Sequence, residues 1–239
     1  SRDWSSDVCS SDLDYTTAAT APGSFPRGGL SIVGLAADEN VDPKEYPKIT
    51  IKQSELGTAK TVISIKNTVA SGETVTFKNL NYELYSVTGN AGHADKTDAL
   101  TATLFASEAQ GTLALNNVGI RMNPFADASE YTVTALTVPI ICAKSGSLTL
   151  TDTTIENIKV ANTPAIVPNV LTSTSLEMSG TTFKDISRTT ATVDTNAGAS
   201  VFELSGIECT SYIRLGGATY DGCSGPASGY GGAIYIGVH

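Results

Sequence analysis

The chain has 239 residues and a formal net charge of −9, from 15 basic and 24 acidic side chains. This balance argues against nucleic acid or an anionic membrane surface as the main partner, because both are bound through basic patches. Hydrophobic residues make up 41% and charged residues 16% of the chain, and about a quarter of the residues are Ser or Thr, an excess over ordinary globular proteins. The composition predicts a folded protein with a packed core and many surface hydroxyl groups.

The first thirteen residues do not read as part of the protein. Translating Asp3 to Leu13 back through the genetic code permits a DNA string that resembles a common short-read sequencing adapter. We therefore interpret residues 1–13 as a disordered artefact of a fragmentary sequence assembly and exclude them from the fold prediction. Residues 14–239 are expected to form a single domain that is truncated at both ends. The exclusion removes the one Trp and one of the four Cys.

Strand patterns dominate the rest of the chain. The apolar segment at 29–37 predicts a strand, because Ser31 and Gly34 interrupt it and it is too short to span a membrane. Further along, β-branched residues and Thr are frequent, and Gly, Asn and Asp recur every few residues. Residues 124–130 are the one stretch that reads as a helical turn.

A short unit recurs, in which an apolar-x-apolar opening is followed by a small or polar pair and a second apolar stretch. Four copies follow one another by 35, 28 and 26 residues, with leading residues Leu113, Leu148, Leu176 and Phe202. Tighter copies begin at Ile49, Ile63 and Val75. Repeats of this length indicate stacked supersecondary units, each too small to bury its own apolar face. Residues 123–137 and 160–174 are expected to be loops that extend outward from the stack.

These patterns predict an all-β fold, specifically a right-handed parallel β-helix, which is a solenoid of stacked coils. The alternative is an antiparallel β-sandwich, which also has many short strands separated by turns. Two observations favour the β-helix. The same apolar opening and polar pair recur, and hairpin dipeptides of the Asn-Gly or Asp-Gly type are almost absent, with Asp221-Gly222 the exception.

The Gly-Gly-Ala-Ile string at 231–234 resembles the repeat of polymorphic outer-membrane proteins and of similar surface β-helix proteins of protists. A partial copy stands at 216–219. The Phe-x-x-Asn element that usually accompanies the motif is absent in strict form, and residues 155–158 and 183–186 occupy comparable places. Paired Gly allows a sharp turn before Ala and Ile enter a narrow core. The resemblance implies a pectin lyase-like β-helix that acts as an extracellular passenger in adhesion.

A few carboxylates are candidates for catalytic groups. Asp194 and Asp221 are the best candidates for acid–base hydrolysis, which needs two carboxylates held near each other, but no Asp-Asp pair or His-Gly element supports them. Asp95 and Asp98 lie near Lys96, although their spacing matches no calcium loop and indicates a solvated turn. We therefore predict no catalytic, cofactor-binding or metal-binding residues and no cofactor.

Neither histidine nor cysteine forms a ligand pattern. His93 and His239 lack Cys or carboxylate partners at ligand spacing and are predicted to be exposed. Cys142, Cys209 and Cys223 form no Cys-x-x-Cys. Two interpretations stay open: a disulfide between Cys209 and Cys223 in a secreted protein, and small buried apolar side chains in stacked coils.

The sequence thus predicts a non-catalytic β-helix protein, secreted or displayed on the cell surface, with a role in adhesion, binding or structure. Its expected partners are glycans, host or cell-surface proteins and further coils of a longer chain, with no membrane insertion in this fragment. The alternative is a carbohydrate-active enzyme of the same fold, a polysaccharide lyase or hydrolase.

Overall fold

The computed structural model describes residues 30–34, 42–66, 71–122, 129–170, 174–191, 197–205 and 212–237. Several sequence-based predictions lie outside these described residues. They concern the artefact at 1–13, most of the helical turn at 124–130, and the candidates Asp194, Cys209 and His239.

The described chain consists mainly of short strands, as its alternating apolar pattern predicts. The strands are β1 (Leu30–Val33), β2 (Lys48–Ile51), β3 (Thr61–Ile65), β4 (Thr74–Leu84), β5 (Val87–Gly89), β6 (Thr103–Ser107), β7 (Thr112–Met122), β8 (Tyr131–Val133), β9 (Ile141–Ala143), β10 (Ser147–Thr151), β11 (Thr154–Glu156), β12 (Lys159–Val160), β13 (Ile166–Val167), β14 (Ser175–Ser179), β15 (Thr181–Lys184), β16 (Ser187–Arg188), β17 (Phe202–Ser205), β18 (Tyr212–Arg214), β19 (Ala218–Asp221) and β20 (Ile234–Gly237). The helical elements among the described residues are α1 (Gln53–Leu56) and two 3-10 turns, Pro43–Glu45 and Ala94–Lys96.

Nearly all of these strands pair in parallel. A ten-stranded sheet, called the large sheet below, contains β1, β2, β4, β7, β10, β11, β14, β15, β18 and β19. A six-stranded sheet, called the second sheet, runs in the order β20-β17-β13-β9-β6-β3. Among the described strands, β5 and β8 form the one antiparallel ladder. The all-β prediction is confirmed, and the antiparallel sandwich is wrong for the described residues.

The register confirms the first part of the predicted repeat. Four leading apolar residues lie side by side in the large sheet, in the order Val75, Leu113, Leu148 and Leu176. The fourth predicted copy is wrong, because Phe202 pairs with Ile166 and Ile234 in the second sheet. The residue beside Leu176 is Ile213. Phe202 shares the apolar opening of the unit but belongs to a strand of the other sheet.

The tighter early copies are not repeats of one position. Ile49 pairs with Tyr82, Ile63 with Phe105 and Val75 with Leu113, in three separate parts of the two sheets. Their spacing therefore measures the distance between successive strands along the chain.

The Gly-Gly-Ala-Ile string belongs to a column that runs through the second sheet. Its Ala233 and Ile234 are in register with earlier apolar pairs, which are Leu104-Phe105, Ile140-Ile141, Ala165-Ile166 and Val201-Phe202. The side chains of these earlier pairs are at most 1% exposed. Gly231 has a φ of 86°, a conformation that glycine adopts without steric cost. The motif is thus one instance of an element in which two consecutive apolar residues enter the core.

A column of left-handed residues marks the turn that bends the long strands. Asn79, Asn117, Asp152 and Gly180 have φ values of 57°, 55°, 47° and 60° and lie in register. Asn and Asp tolerate this conformation better than other residues with a side chain. Asn117 Nδ2 also donates a hydrogen bond of 3.2 Å to Asn79 Oδ1. A second column contains Asn157, Asp185 and Gly222.

The core lies between the two sheets, where aromatic rings from both sides meet. Phe105 of the second sheet contacts Phe77 and Tyr82 of the large sheet edge to face, with centroid distances of 4.9 Å and 5.3 Å. Further along, Phe183 contacts Phe202 in the same way at 5.5 Å. These geometries are the ones that aromatic quadrupoles favour.

One arginine is buried in this interior. The side chain of Arg188 is fully covered and donates to Glu203 Oε2 at 2.7 Å. It also donates to the carbonyl oxygens of Thr190, Ala199 and Asn162 at 2.9, 3.1 and 2.8 Å. A buried guanidinium is stable only when its donors are satisfied, and here it connects three backbone segments.

The predicted loops contain parts of the sheets. Residues 160–174 include β13, a strand of the second sheet, in which Ile166 is fully buried. Within 123–137, the described part contains β8, which pairs with β5. The prediction of purely outward loops is therefore wrong there, because strands of two or three residues carry too little apolar alternation to be recognised.

Candidate functional site

A groove of about 480 Å³ lies on the outer face of the large sheet, over the second halves of β4 and β7 and over β11. The apolar residues of these segments, such as Tyr82, Ile120 and Ile155, are buried on the inner face. The residues between them therefore point outward, because side chains alternate along a strand. The polar side chains that line the groove are Asp42, Lys48, Asn81, Glu83, Asn117, Arg121, Asp152, Thr154 and Glu156.

Charged side chains of alternating sign form a row across the floor of the groove. Parallel pairing places the members of this row on neighbouring strands, in the order Glu83, Arg121, Glu156, Lys184 and Asp221. Adjacent strands are about 4.8 Å apart, so each charge has an opposite charge beside it. The first three members line the groove, and the last two continue the row beyond it.

Arg121 is the central member of the groove floor. Its Nη2 contacts Glu83 Oε1 directly, and the two side chains are 39% and 14% exposed. On its other side, Arg121 is the Cα partner of Glu156. The guanidinium thus lies between two acidic residues, one of which it binds directly.

A missing side chain deepens the middle of the groove. Gly119 lies beside Asn81, and a Cβ atom at Gly119 would overlap Asn81 Oδ1. The carboxamide is held in place because its Nδ2 donates to the carbonyl oxygens of Pro43 and Tyr46 at 2.9 Å and 3.2 Å. Only glycine at position 119 leaves room for this acceptor oxygen over the strand.

The wall of the groove is the segment that precedes β2. Asp42 and Pro43 line the groove from this side. Tyr46 is 9% exposed, and its hydroxyl accepts a hydrogen bond of 2.8 Å from Asn117 Nδ2. This bond and the bonds of Asn81 attach the wall to the turn column and to the groove floor. The groove is therefore built by side chains that are far apart in the sequence.

The carboxylates predicted from the sequence lie elsewhere. Asp221 is the last member of the charged row and does not line the groove, while Asp194 is outside the described residues. Asp98 accepts hydrogen bonds from the backbone nitrogen of Gln53 at 2.8 Å and from the hydroxyl of Ser54 at 2.5 Å. It therefore fixes the start of α1 and does not serve as a calcium ligand with Asp95.

The turn around residues 93–98 is held by ordinary contacts. Lys96 forms an ion pair of 3.4 Å with Glu130. His93 is partly buried, so the prediction of an exposed histidine is wrong for this residue. Within the described parts of the chain, no group of three or more His, Cys, Asp or Glu is arranged to hold a metal ion.

The two described cysteines are free thiols. Burial raises the pKa of the Cys142 thiol, and burial is also the main cause of the raised pKa of Cys223. Cys223 Sγ lies 3.5 Å from the carbonyl oxygen of Phe183. Raised pKa values disfavour the reactive thiolate, so both side chains behave as small, partly buried groups.

Comparison with known proteins gives no relative: no family model, curated protein or solved structure matches this chain. No helix in the described part of the chain has the length and apolar character needed to cross a membrane. The resemblance of residues 231–234 to surface β-helix proteins stays a prediction.

The groove residues Asn81, Glu83, Arg121 and Glu156 are not recognised by sequence reasoning alone. A signal is present, because the predicted offsets of 35 and 28 residues carry Arg121 to Glu156 and then to Lys184. Writing the repeats one below the other and comparing their polar positions would reveal the alternating charges.

Proposed function

We propose that the two parallel sheets are successive faces of a right-handed parallel β-helix. Strands of the large sheet alternate along the chain with strands of the second sheet, and corresponding residues recur in register. The stacked left-handed turn residues at 79, 117, 152 and 180 support this interpretation, since a coil needs the same bend at each level. Parallel strands joined by crossovers are almost always connected in the right-handed sense.

We further propose that this β-helix is a non-catalytic binding protein, secreted or displayed on the cell surface, whose groove binds glycan chains during adhesion. The groove on the large sheet is the observation that carries the proposal. Its floor presents carboxylates, a guanidinium and a carboxamide at the regular spacing of neighbouring strands. Such groups form several hydrogen bonds with neighbouring hydroxyls, and a small number of fixed polar groups sets the orientation of a ligand.

The position of Arg121 favours binding over hydrolysis. Glu83 and Glu156 are two strands apart, so their Cα atoms are separated by about 9.6 Å. Hydrolysis requires substrate and water between the two carboxylates, and in this groove the guanidinium of Arg121 lies between them and contacts Glu83. The acid–base pair is therefore occupied by a cation.

Blocking the groove tests the binding function. Thr154 points into the groove, and Thr154→Trp should abolish binding of the 239-residue chain to a glycan array and to intact cells. Thr182 is the Cα partner of Thr154 on the next strand and does not line the groove. Thr182→Trp is therefore the matched control and should bind like the unmodified chain. Equal binding by both variants would contradict the proposal.

A carbohydrate-active enzyme is the second candidate, and the acidic lining of the groove favours it. Asp42 and Asp152 join Glu83 and Glu156 there, so a substrate in the groove would be surrounded by potential acids and bases. Release of reducing ends or unsaturated products from polysaccharides would establish this function. The activity should then be lost in Glu156→Gln and in Asp152→Asn, which change charge with little change in shape.

A further inference from the structure

We infer that the groove selects uncharged glycan chains over anionic chains such as polyuronates. This inference rests on the proposed glycan-binding function and adds the class of ligand. The same groove would otherwise be expected to take acidic polysaccharides, as enzymes of the pectin lyase-like type do.

The first observation is the charge of the groove. Among the described lining residues, the carboxylates are Asp42, Glu83, Asp152 and Glu156, and the cations are Lys48 and Arg121. Arg121 contacts Glu83 and is flanked by Glu156 on the next strand, so its charge is balanced by the protein. The whole chain adds a net charge of −9. A ligand carboxylate would enter a field of its own sign, and such like-charge contacts oppose binding.

The second observation is the hydrogen-bonding character of the floor, which is independent of net charge. Asn81 Nδ2 is used by the carbonyl oxygens of Pro43 and Tyr46, and this fixes Oδ1 over the position of Gly119. Ionised carboxylates are also acceptors only. The groove therefore presents mainly acceptors, which pair with hydroxyl donors of a neutral sugar. A uronate carboxylate has no donor to offer.

The third observation concerns the direction of the ligand. The floor residues succeed one another from strand to strand, at intervals of about 4.8 Å. This interval is comparable to the length of one pyranose unit in an extended chain. Because Gly119 leaves a depression at the middle strand, a sugar ring can lie there while its neighbours contact the adjacent strands. The chain of sugars would then run across the strands.

Matched ligands that differ only in charge test this inference. Oligogalacturonates and their carboxyl-reduced counterparts share linkage and length, and a second pair with β-linkages covers another chain geometry. Calorimetry with the 239-residue protein at low salt should show at least about tenfold tighter binding of the neutral member. The ratio should decrease as salt is added, because screening weakens the repulsion.

Variants attribute the preference to the groove. Glu156→Gln removes one negative charge from the floor and should reduce the ratio between neutral and acidic ligands several-fold. Glu177 is also an outward Glu of the large sheet, on β14 and outside the groove. Glu177→Gln should leave the ratio unchanged.

The outcomes separate the two proposals. Equal or tighter binding of the uronates would overturn the preference for neutral chains while leaving glycan binding in place. A preference that Glu156→Gln does not alter would overturn its assignment to this groove. Absence of binding by both members of every pair, and by all glycans on the array, would overturn the proposed function itself.

Discussion

The inner strands of the large sheet and the strands at its edge share one inward pattern but differ in what covers them. Leu148 and Leu176 are at most 1% exposed, and each lies between two neighbouring strands. Ile213 occupies the next place in the same column and is only partly buried. In the second sheet, Phe202 is fully buried, whereas its partner Ile234 on β20 is partly exposed.

The difference teaches that each level of the stack is stabilised by its neighbours. A column residue gains little from its own strand, since its contacts come from the strands above and below and from the opposite sheet. Edge residues are the natural comparison for every interior residue, because sequence pattern and strand geometry are the same and the number of covering strands differs.

The largest expected effect concerns Arg188 in the interior. Arg188→Ala should lower the free energy of unfolding by about 4 kcal/mol, because it leaves the Glu203 carboxylate and three carbonyl oxygens without their donor. Urea unfolding monitored by circular dichroism measures this change. Arg214 on the edge strand β18 is exposed, and Arg214→Ala should cost less than about 0.5 kcal/mol. Similar losses for both would mean that the buried contacts contribute nothing.

Truncation of column residues compares the two regions directly. Leu148→Ala should cost about 3 kcal/mol, since a fully covered side chain leaves a cavity. Ile213→Ala, in the same column at the edge, should cost about 1 kcal/mol because part of the side chain is already in water. Equal costs in urea unfolding would show that the edge column is covered as well as the interior.

Two glycines provide a third comparison. Gly119→Ala should destabilise the protein by about 2 kcal/mol, because its Cβ would overlap Asn81 Oδ1. At Gly216, next to the edge strand β19, a Cβ would have no heavy atom within 4 Å, and the residue has no positive φ. Gly216→Ala should therefore be neutral or slightly stabilising. Thermal unfolding of both variants checks this, and an unaffected Gly119→Ala would mean that the Asn81 carboxamide moves freely.

Two tyrosines differ in the same way and give a dependence on pH. Burial raises the pKa of Tyr220 to about 12, and raises the pKa of the more deeply buried Tyr82 well above its ordinary value. The unfolded chain ionises its phenols near pH 10, so this stabilisation is complete below that pH and is lost as the pH rises through the folded pKa. Tyr220→Phe should lose less stability than the unmodified chain between about pH 10 and about pH 12. Identical profiles in urea unfolding would assign the whole effect to other groups.

The smallest effect on the stability of the monomer is expected at the edge itself. Ile236 on β20 is 55% exposed although its partner Leu204 is fully buried. Uncovered strand edges promote association, so the 239-residue chain should form larger species as its concentration rises. Ile236→Lys should reduce this association in sedimentation experiments while changing the free energy of unfolding by less than about 0.5 kcal/mol. The matched control is Thr219→Lys on β19, and a monomer at all concentrations would contradict the prediction.

The sequence predicts the parts of the fold that depend on local alternation. The apolar-x-apolar units are strands, and the offsets of 35 and 28 residues correctly align Leu113, Leu148 and Leu176. The same reasoning fails for Phe202, because the last spacing resembles the others while the residue lies in the second sheet. It also fails for strands as short as β13, whose two residues show no alternation.

The candidate site is not predictable in this way. Local sequence singles out Asp221 and Asp98, yet one lies at the end of the charged row and the other fixes α1. The residues that line the groove come from segments separated by more than thirty positions, such as Asn81 and Gly119. No local pattern identifies them.

The sequence by itself therefore determined the all-β class, the inward and outward faces of the strands and much of one column of the core. Only the tertiary structure decided which strands are neighbours, which outward side chains form the charged row and where the groove lies. The physical reason is that alternation along a strand has a period of two residues and can be read locally. Lateral neighbours depend instead on the lengths of the connections, and a change of one residue in a connection would shift the whole row.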